Sequence, residues 1–128
     1  MPASAVVIDA ANVIGSRPDG WWRDRPGAAA RLVAQVVRAI SEGTLSGPVV
    51  VVLEGAARAG APADSPVPGL RVVHAEQDGD SAIVAQVADL SERDIAATVV
   101  TADRGLRERV ASAGGQSVGP SWLLDQLP

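Results

Sequence analysis

The chain of 128 residues has no cysteine, no lysine and a single histidine. Without cysteine there is no disulfide framework, no thiolate nucleophile and no zinc site built on sulfur. With one imidazole, any metal bound here is met mainly by oxygen, which selects a hard ion such as Mg²⁺ or Mn²⁺ over zinc or copper. No apolar run reaches the ~18 residues needed to cross a bilayer, and the first residues pass into a short strand without the pattern of a signal peptide. The expectation is a soluble, cytoplasmic protein with no membrane partner.

An apolar share of 47 % suffices for a core, and a chain of this length is expected to form one domain over residues 1–128 without metal or disulfide staples. The net charge of −4 weighs against a protein that coats nucleic acid non-specifically, but a net value says little about a local patch. All eleven basic residues are Arg, with Arg17, Arg23, Arg25 and Arg31 following the first strand. The guanidinium fork suits phosphate, although GC-rich coding bias also enriches Arg.

Residues Ala5–Ile8 read as a buried strand, followed by a polar loop as far as Arg25. Pro26 opens a helix in which Leu32, Val33, Val36, Val37 and Ile40 form one stripe and Gly43 supplies the stop. Val49–Leu53 is an unbroken β-branched run, as a central parallel strand requires. Gly55 to Gly69 reads as a mobile loop, Leu70–His74 as the third strand, and Ile83, Val84, Val87 and Leu90 as a helix capped by Asp80 or Ser81. Ala97–Val100 is the fourth strand, Leu106 and Val110 mark another helix, Gln116–Val118 is an edge strand and Pro120–Leu127 a terminal helical turn. Strands alternating with helices predict an α/β fold with a parallel sheet and helices on both faces.

Four strands run into acids: Asp9, then Glu54, then the cluster Glu76, Asp78 and Asp80, then Asp103. In a parallel sheet these ends share one edge, where neighbouring strands are about 4.8 Å apart. Two carboxylates about 4 Å apart repel by roughly 4 kcal/mol at an effective dielectric of about 20, and a divalent ion reverses that while activating a water. A plainer reading stands beside each residue. Asp9 also fits a turn or cap, Asn12 a left-handed turn, and Thr101 and Asp103 a helix cap. Asp78, Asp80 and Ser81 compete for one N-cap, and Glu76 can replace Glu54. Independent caps do not need acids at four strand ends, which favours a shared pocket. His74 is assigned a structural role and Trp122 the core. Trp21 and Trp22 either stack on unpaired bases or pack over the sheet edge.

These segments resemble a family. VVIDAANVIG is similar to the opening of NYN domains, a branch of the PIN-like metal-dependent nucleases. DGDSAIVAQV resembles the family's acidic step into its central helix, ATVVTADRGLRERV its strand ending in Thr-Ser-Asp, and SVGPSWLLDQL its closing strand and turn. The resemblance implies a Rossmann-like sheet of order 3-2-1-4-5 with Asp9 beside Asp103. It also implies a catalytic set of Asp9, Asn12, Asp80 and Asp103. Asp9 is the central metal ligand, Asn12 orients it or contacts substrate, Asp80 and Asp103 are the second and third acids, and Glu54 matches the acid after the second strand. Asp78 joins the acidic set. Ala11 replaces a common aromatic residue, Ala102 a common Ser, and Ala85 or Gln86 an acid.

The function expected is Mg²⁺- or Mn²⁺-dependent hydrolysis of single-stranded or structured RNA. Arg17, Trp21, Trp22, Arg23, Arg25, Arg104 and Arg107 are the candidate RNA contacts, and a homodimer or a regulatory protein are further candidate partners. The alternatives are a non-catalytic RNA-binding or adaptor domain, a scaffold whose acids only cap helices, and a Toprim-like domain. The Toprim reading leaves Asp9, Asn12 and Asp103 idle. The absence of lysine disfavours a phosphorylated receiver domain.

Overall fold

A computed structural model describes residues 3–128. In chain order the elements are β1 (Ala3–Asp9), α1 (Ala10–Gly15), α2 (Arg25–Glu42), β2 (Val49–Leu53), β3 (Leu70–His74), α3 (Gly79–Glu92), β4 (Ile95–Val100), α4 (Arg104–Ser112), β5 (Gln116–Val118) and α5 (Pro120–Leu124), with 3-10 turns at Trp21–Arg23 and Gly55–Gly60. The five strands are all parallel in the order β3-β2-β1-β4-β5. This is the α/β architecture and strand order expected.

The sheet is buried on both faces, and the pleat explains how. Along β2 all five residues are buried. Val49, Val51 and Leu53 join Ile8, Val72, Leu32 and Val36 on the side of α1 and α2, while Val50 and Val52 join Val7, Val99, Ile83, Val87, Leu106 and Val110 on the side of α3 and α4. Alternate residues of one strand thus feed two cores, which is why the run carries no polar alternation. Helix α2 lies against the first face because its apolar positions recur with helical spacing. It starts where Asp24 accepts the Gly27 N–H at 2.9 Å and stops at Gly43, whose φ of 79° is the left-handed conformation of a C-terminal cap.

Several expectations are corrected. The segment after β1 is not loop alone: α1 begins directly at Asp9, and its residues Ala10, Val13 and Ile14 are buried. The connection Gly55–Gly69 is packed, since its first part is a 3-10 turn, Ala61 is buried in the core and the Asp64 carbonyl accepts the Val72 N–H at 2.8 Å. Helix α3 is capped by Asp78, not by Asp80 or Ser81. Trp122 is 37 % exposed and Leu123 fills the core position beside it. His74 does serve the fold, its Nε2 lying 2.7 Å from the Ala61 carbonyl.

Candidate functional site

The chain runs outward from β1 to β2 and β3, then returns to place β4 on the other side of β1. Such a reversal opens a crevice at the carboxyl ends of the two diverging strands, where ligands of open α/β sheets bind. Register pairs Ile8 with Val100, so the next residues, Asp9 and Thr101, meet across that crevice. Both are buried, Asp9 at 7 % exposure and Thr101 at 0 %.

A closed set of hydrogen bonds fixes this point. The Thr101 hydroxyl donates to Asp9 Oδ2 at 2.9 Å and accepts the Asp103 N–H at 3.2 Å. Asp9 Oδ1 accepts the Asn12 N–H at 3.3 Å, and Asn12 Oδ1 accepts the Ala102 N–H at 2.9 Å. Asn12 therefore ties the start of α1 to the loop after β4 and bonds Asp9 through its backbone. Arg107 closes the set from outside, its Nε donating to the Thr101 carbonyl at 2.9 Å. Thr101 is the residue that sequence reasoning assigned only to a cap. The sequence shows only a hydroxyl directly after the strand segment ATVV; that it lies level with Asp9 follows from the strand register.

The remaining acids surround this point without closing on it. Asp80 is half-buried in the first turn of α3. Glu54 Oε2 accepts the Gly79 N–H at 2.7 Å, so this acid supports the start of α3 from the end of β2. Asp78 spends both oxygens on Ser81, on the N–H at 2.7 Å and the hydroxyl at 3.1 Å. Asp103 is exposed and its Oδ1 caps α4 through the Leu106 N–H at 2.9 Å. Glu76 is exposed. Among the described residues, no three Asp, Glu or His side chains are grouped closely enough to hold a metal ion.

The charges nevertheless interact. Burial raises the Asp9 carboxyl above its ordinary 3.8; the bonds from Thr101 and Asn12 pull it down, and the carboxylates of Asp80 and Glu54 push it up. Asp80 is raised as well, first by burial and then by Asp103, while Arg109 opposes. The ion pairs among the described residues are Arg38–Glu42 and Arg93–Asp89, both exposed and within helices. Neither offsets charge at the acidic edge.

The candidate phosphate and base contacts divide into two groups. Arg17 bonds Gln35 at 2.8 Å and Arg107 bonds the Thr101 carbonyl, so both brace the fold. Arg23 lies over the Trp22 ring at 5.8 Å and Arg25 over the Trp21 ring at 5.6 Å, and both guanidinium groups belong to exposed residues, as does Arg104. The two indoles meet edge to face at 5.9 Å. Trp21 packs against the core, whereas Trp22 is 56 % exposed. The packing reading thus describes Trp21, while Trp22 stands open to solvent. Two clefts flank Ala11. One of about 310 Å³ is lined by Trp21, Arg25 and Glu54. The other, about 590 Å³ and more open, is lined by Asn12, Ser16, Ala102 and Ser121.

No protein-family model matches the chain, and no curated protein matches it. Among solved structures, the crystal structure of Rae1 (YacP) from Bacillus subtilis, a mutant form, is similar with a TM-score of 0.70 and 16 % identity, over 96 % of this chain and 73 % of that one. At that identity the likeness shows the fold alone. No described helix is long and apolar enough to cross a membrane.

Proposed function

We propose that the chain is a divalent-metal-dependent ribonuclease of the NYN branch of the PIN-like fold. The observation that carries this reading is Asp9: a buried carboxylate at the switch point of a parallel sheet, pushed up by burial and by two further acids, with no cation paired to it among the described residues. Titratable groups perturbed in this way cluster at functional sites. The motif order around Asp9, Asp80 and Asp103 supports the same reading, and the likeness to Rae1 supports the fold it requires.

The donor set is oxygen only and suits Mg²⁺ or Mn²⁺. Asp9 and Asp80 would hold the ion with Asp103 as the third acid, while Glu54 and Asp78 hold the start of α3. Among the described residues no three acids are grouped to hold an ion, so an ion here would depend on one or two carboxylates, waters and substrate phosphate, as Mg²⁺ commonly does. When bound, the ion supplies an activated water and offsets charge on the phosphate. The protein's own part is positional. Thr101 and Asn12 hold Asp9 in one orientation, Arg107 holds the Thr101 backbone, and Arg23, Arg25 and Arg104 provide the cationic approach that RNA needs towards an acidic edge.

The test is cleavage of single-stranded and structured RNA in Mn²⁺ by the parent and by Asp9→Asn. Parent activity that the substitution leaves untouched overturns the assignment. Millimolar Mn²⁺ should also raise the melting temperature, since a ligand at about 100 times its Kd adds roughly 2.7 kcal/mol. A second reading rests on the same absence of a three-acid group: an RNA-binding domain of this fold without turnover. RNA binding that persists in chelator, with no products in Mn²⁺, selects it.

A further inference from the structure

We infer that the cleft between α1 and the turn after β2 is a nucleobase pocket that selects bases carrying an exocyclic amino group. The inference rests on the reading that the ligand is RNA. Its volume of about 310 Å³ lies at the lower end of the roughly 300–1,000 Å³ range of small-ligand pockets. Ala11 and Ile14 line it with apolar surface and Trp21 adds an indole, the kind of surface on which unpaired bases stack. Because Trp21 is packed against the core, its ring is already ordered before a base arrives. Arg25 stands on the same wall, near the Trp21 ring and open to solvent, where a strand's phosphate can meet it.

Glu54 is the polar group that gives the pocket a preference. Its Oε2 is committed to the Gly79 N–H, and its Oε1 makes no hydrogen bond among the described residues. An ionised carboxylate accepts and cannot donate. Cytosine and adenine present amino donors where uracil presents a keto oxygen. The first two satisfy Oε1 with that amino group, whereas uracil sets its keto oxygen against it and has only the ring N3–H to donate. Glu54 also lies one residue beyond β2, next to the strand that carries Asp9. A base seated here belongs to a nucleotide close to the acidic edge.

The full chain, in EDTA at low ionic strength, is titrated against fluorescent single-stranded hexamers of cytidine or uridine and followed by anisotropy. The cytidine hexamer should bind about tenfold more tightly, the worth of one hydrogen bond to a charged acceptor. Glu54→Gln keeps an oxygen for the Gly79 N–H and offers an amide donor to the uracil keto oxygen, so it should remove or reverse the preference. Ala56→Leu, at an exposed residue lining the cleft, should weaken the cytidine hexamer towards the uridine one without lowering the melting temperature. Equal binding of the two hexamers by the parent, or an unchanged preference in Glu54→Gln, overturns the pocket. Displacement of the hexamer by free cytidine monophosphate at equal concentration also overturns it as a strand site, because the ligand is then a mononucleotide. Base-selective binding with no cleavage in Mn²⁺ defeats the ribonuclease reading and leaves the pocket standing. Cleavage with no base selectivity does the opposite.

Discussion

Four aspartates start four helices with the same bond. Asp9, Asp24, Asp78 and Asp103 each accept the backbone N–H three residues on, at 3.3, 2.9, 2.7 and 2.9 Å. Asp9 and Asp78 nonetheless shift in opposite directions. Bonds from Ser81 hold exposed Asp78 below its ordinary value, whereas burial and neighbouring acids hold Asp9 above it despite two such bonds. The cap bond is common to both, so it does not distinguish a functional acid from a structural one. What separates them is desolvation that local hydrogen bonds do not offset, and that depends on the sheet rather than on the helix.

The largest expected effect breaks the comparison at the level of activity. Asp9→Asn should reduce RNA cleavage in Mn²⁺ by more than about 100-fold, beyond the usual loss on removing a residue that only supports a metal ligand. Asp78→Asn keeps the cap, since Asn is as good an N-cap as Asp, and should leave the rate close to the parent's. Initial rates on one labelled RNA decide it: equal losses in the two variants would make Asp9 a cap like the others.

Thr101→Val comes next. The substitution keeps the shape of the side chain and removes the hydroxyl that donates to Asp9 Oδ2 and accepts the Asp103 N–H. Activity should fall about 10- to 100-fold, as for other groups that orient a ligand. Stability should fall by about 1–3 kcal/mol for polar groups left unpaired in a buried place. Urea unfolding alongside the rate assay separates the two. A stability loss without an activity loss would leave Thr101 structural only.

The sheet was legible because the pattern there is physical: β-branched VVVVL with no polar alternation suits a strand covered on both faces, and strands alternating with helices suit parallel pairing. Acids at the strand ends were legible for the same reason. The pairing of Asp9 with Thr101 was not, since it depends on the register of strands ninety-two residues apart. Helix α1 escaped notice because six residues carry too little periodicity to stand out from a loop. Trp122 and Leu123 are adjacent apolar residues on a helix of five, and composition does not say which of them faces inward. The acidic pattern also proved less independent than it looked, because Asp9, Asp78 and Asp103 all cap helices and Glu54 bonds the start of α3.

A smaller effect tests the structural side of the comparison. Asp78→Ala removes the cap of α3 and should lower the melting temperature by about 4 °C for a domain of this size. Activity at temperatures well below the melting point should be retained. Loss of activity out of proportion to stability would move Asp78 into the metal set.

The two aspartates should also respond to pH with opposite sign, measured in EDTA so that no metal intervenes. The unfolded reference for each is near 3.8. Asp78 is lowered in the folded state, so its contribution to stability is present above that value and is lost as pH falls through its folded pKa. Asp9 is raised, so the folded protein binds its proton more tightly than the unfolded chain does. The stability this gives is present below 3.8 and is lost as pH rises through the folded pKa. Asp9→Asn carries no charge at any pH. Its melting temperature should therefore gain on the parent's as pH rises above about 3.8, and the gain should be absent below that value. A difference that stays the same on both sides of that value would show that Asp9 ionises in the fold as freely as in the open chain, and the desolvation that sets it apart from Asp78 would be gone.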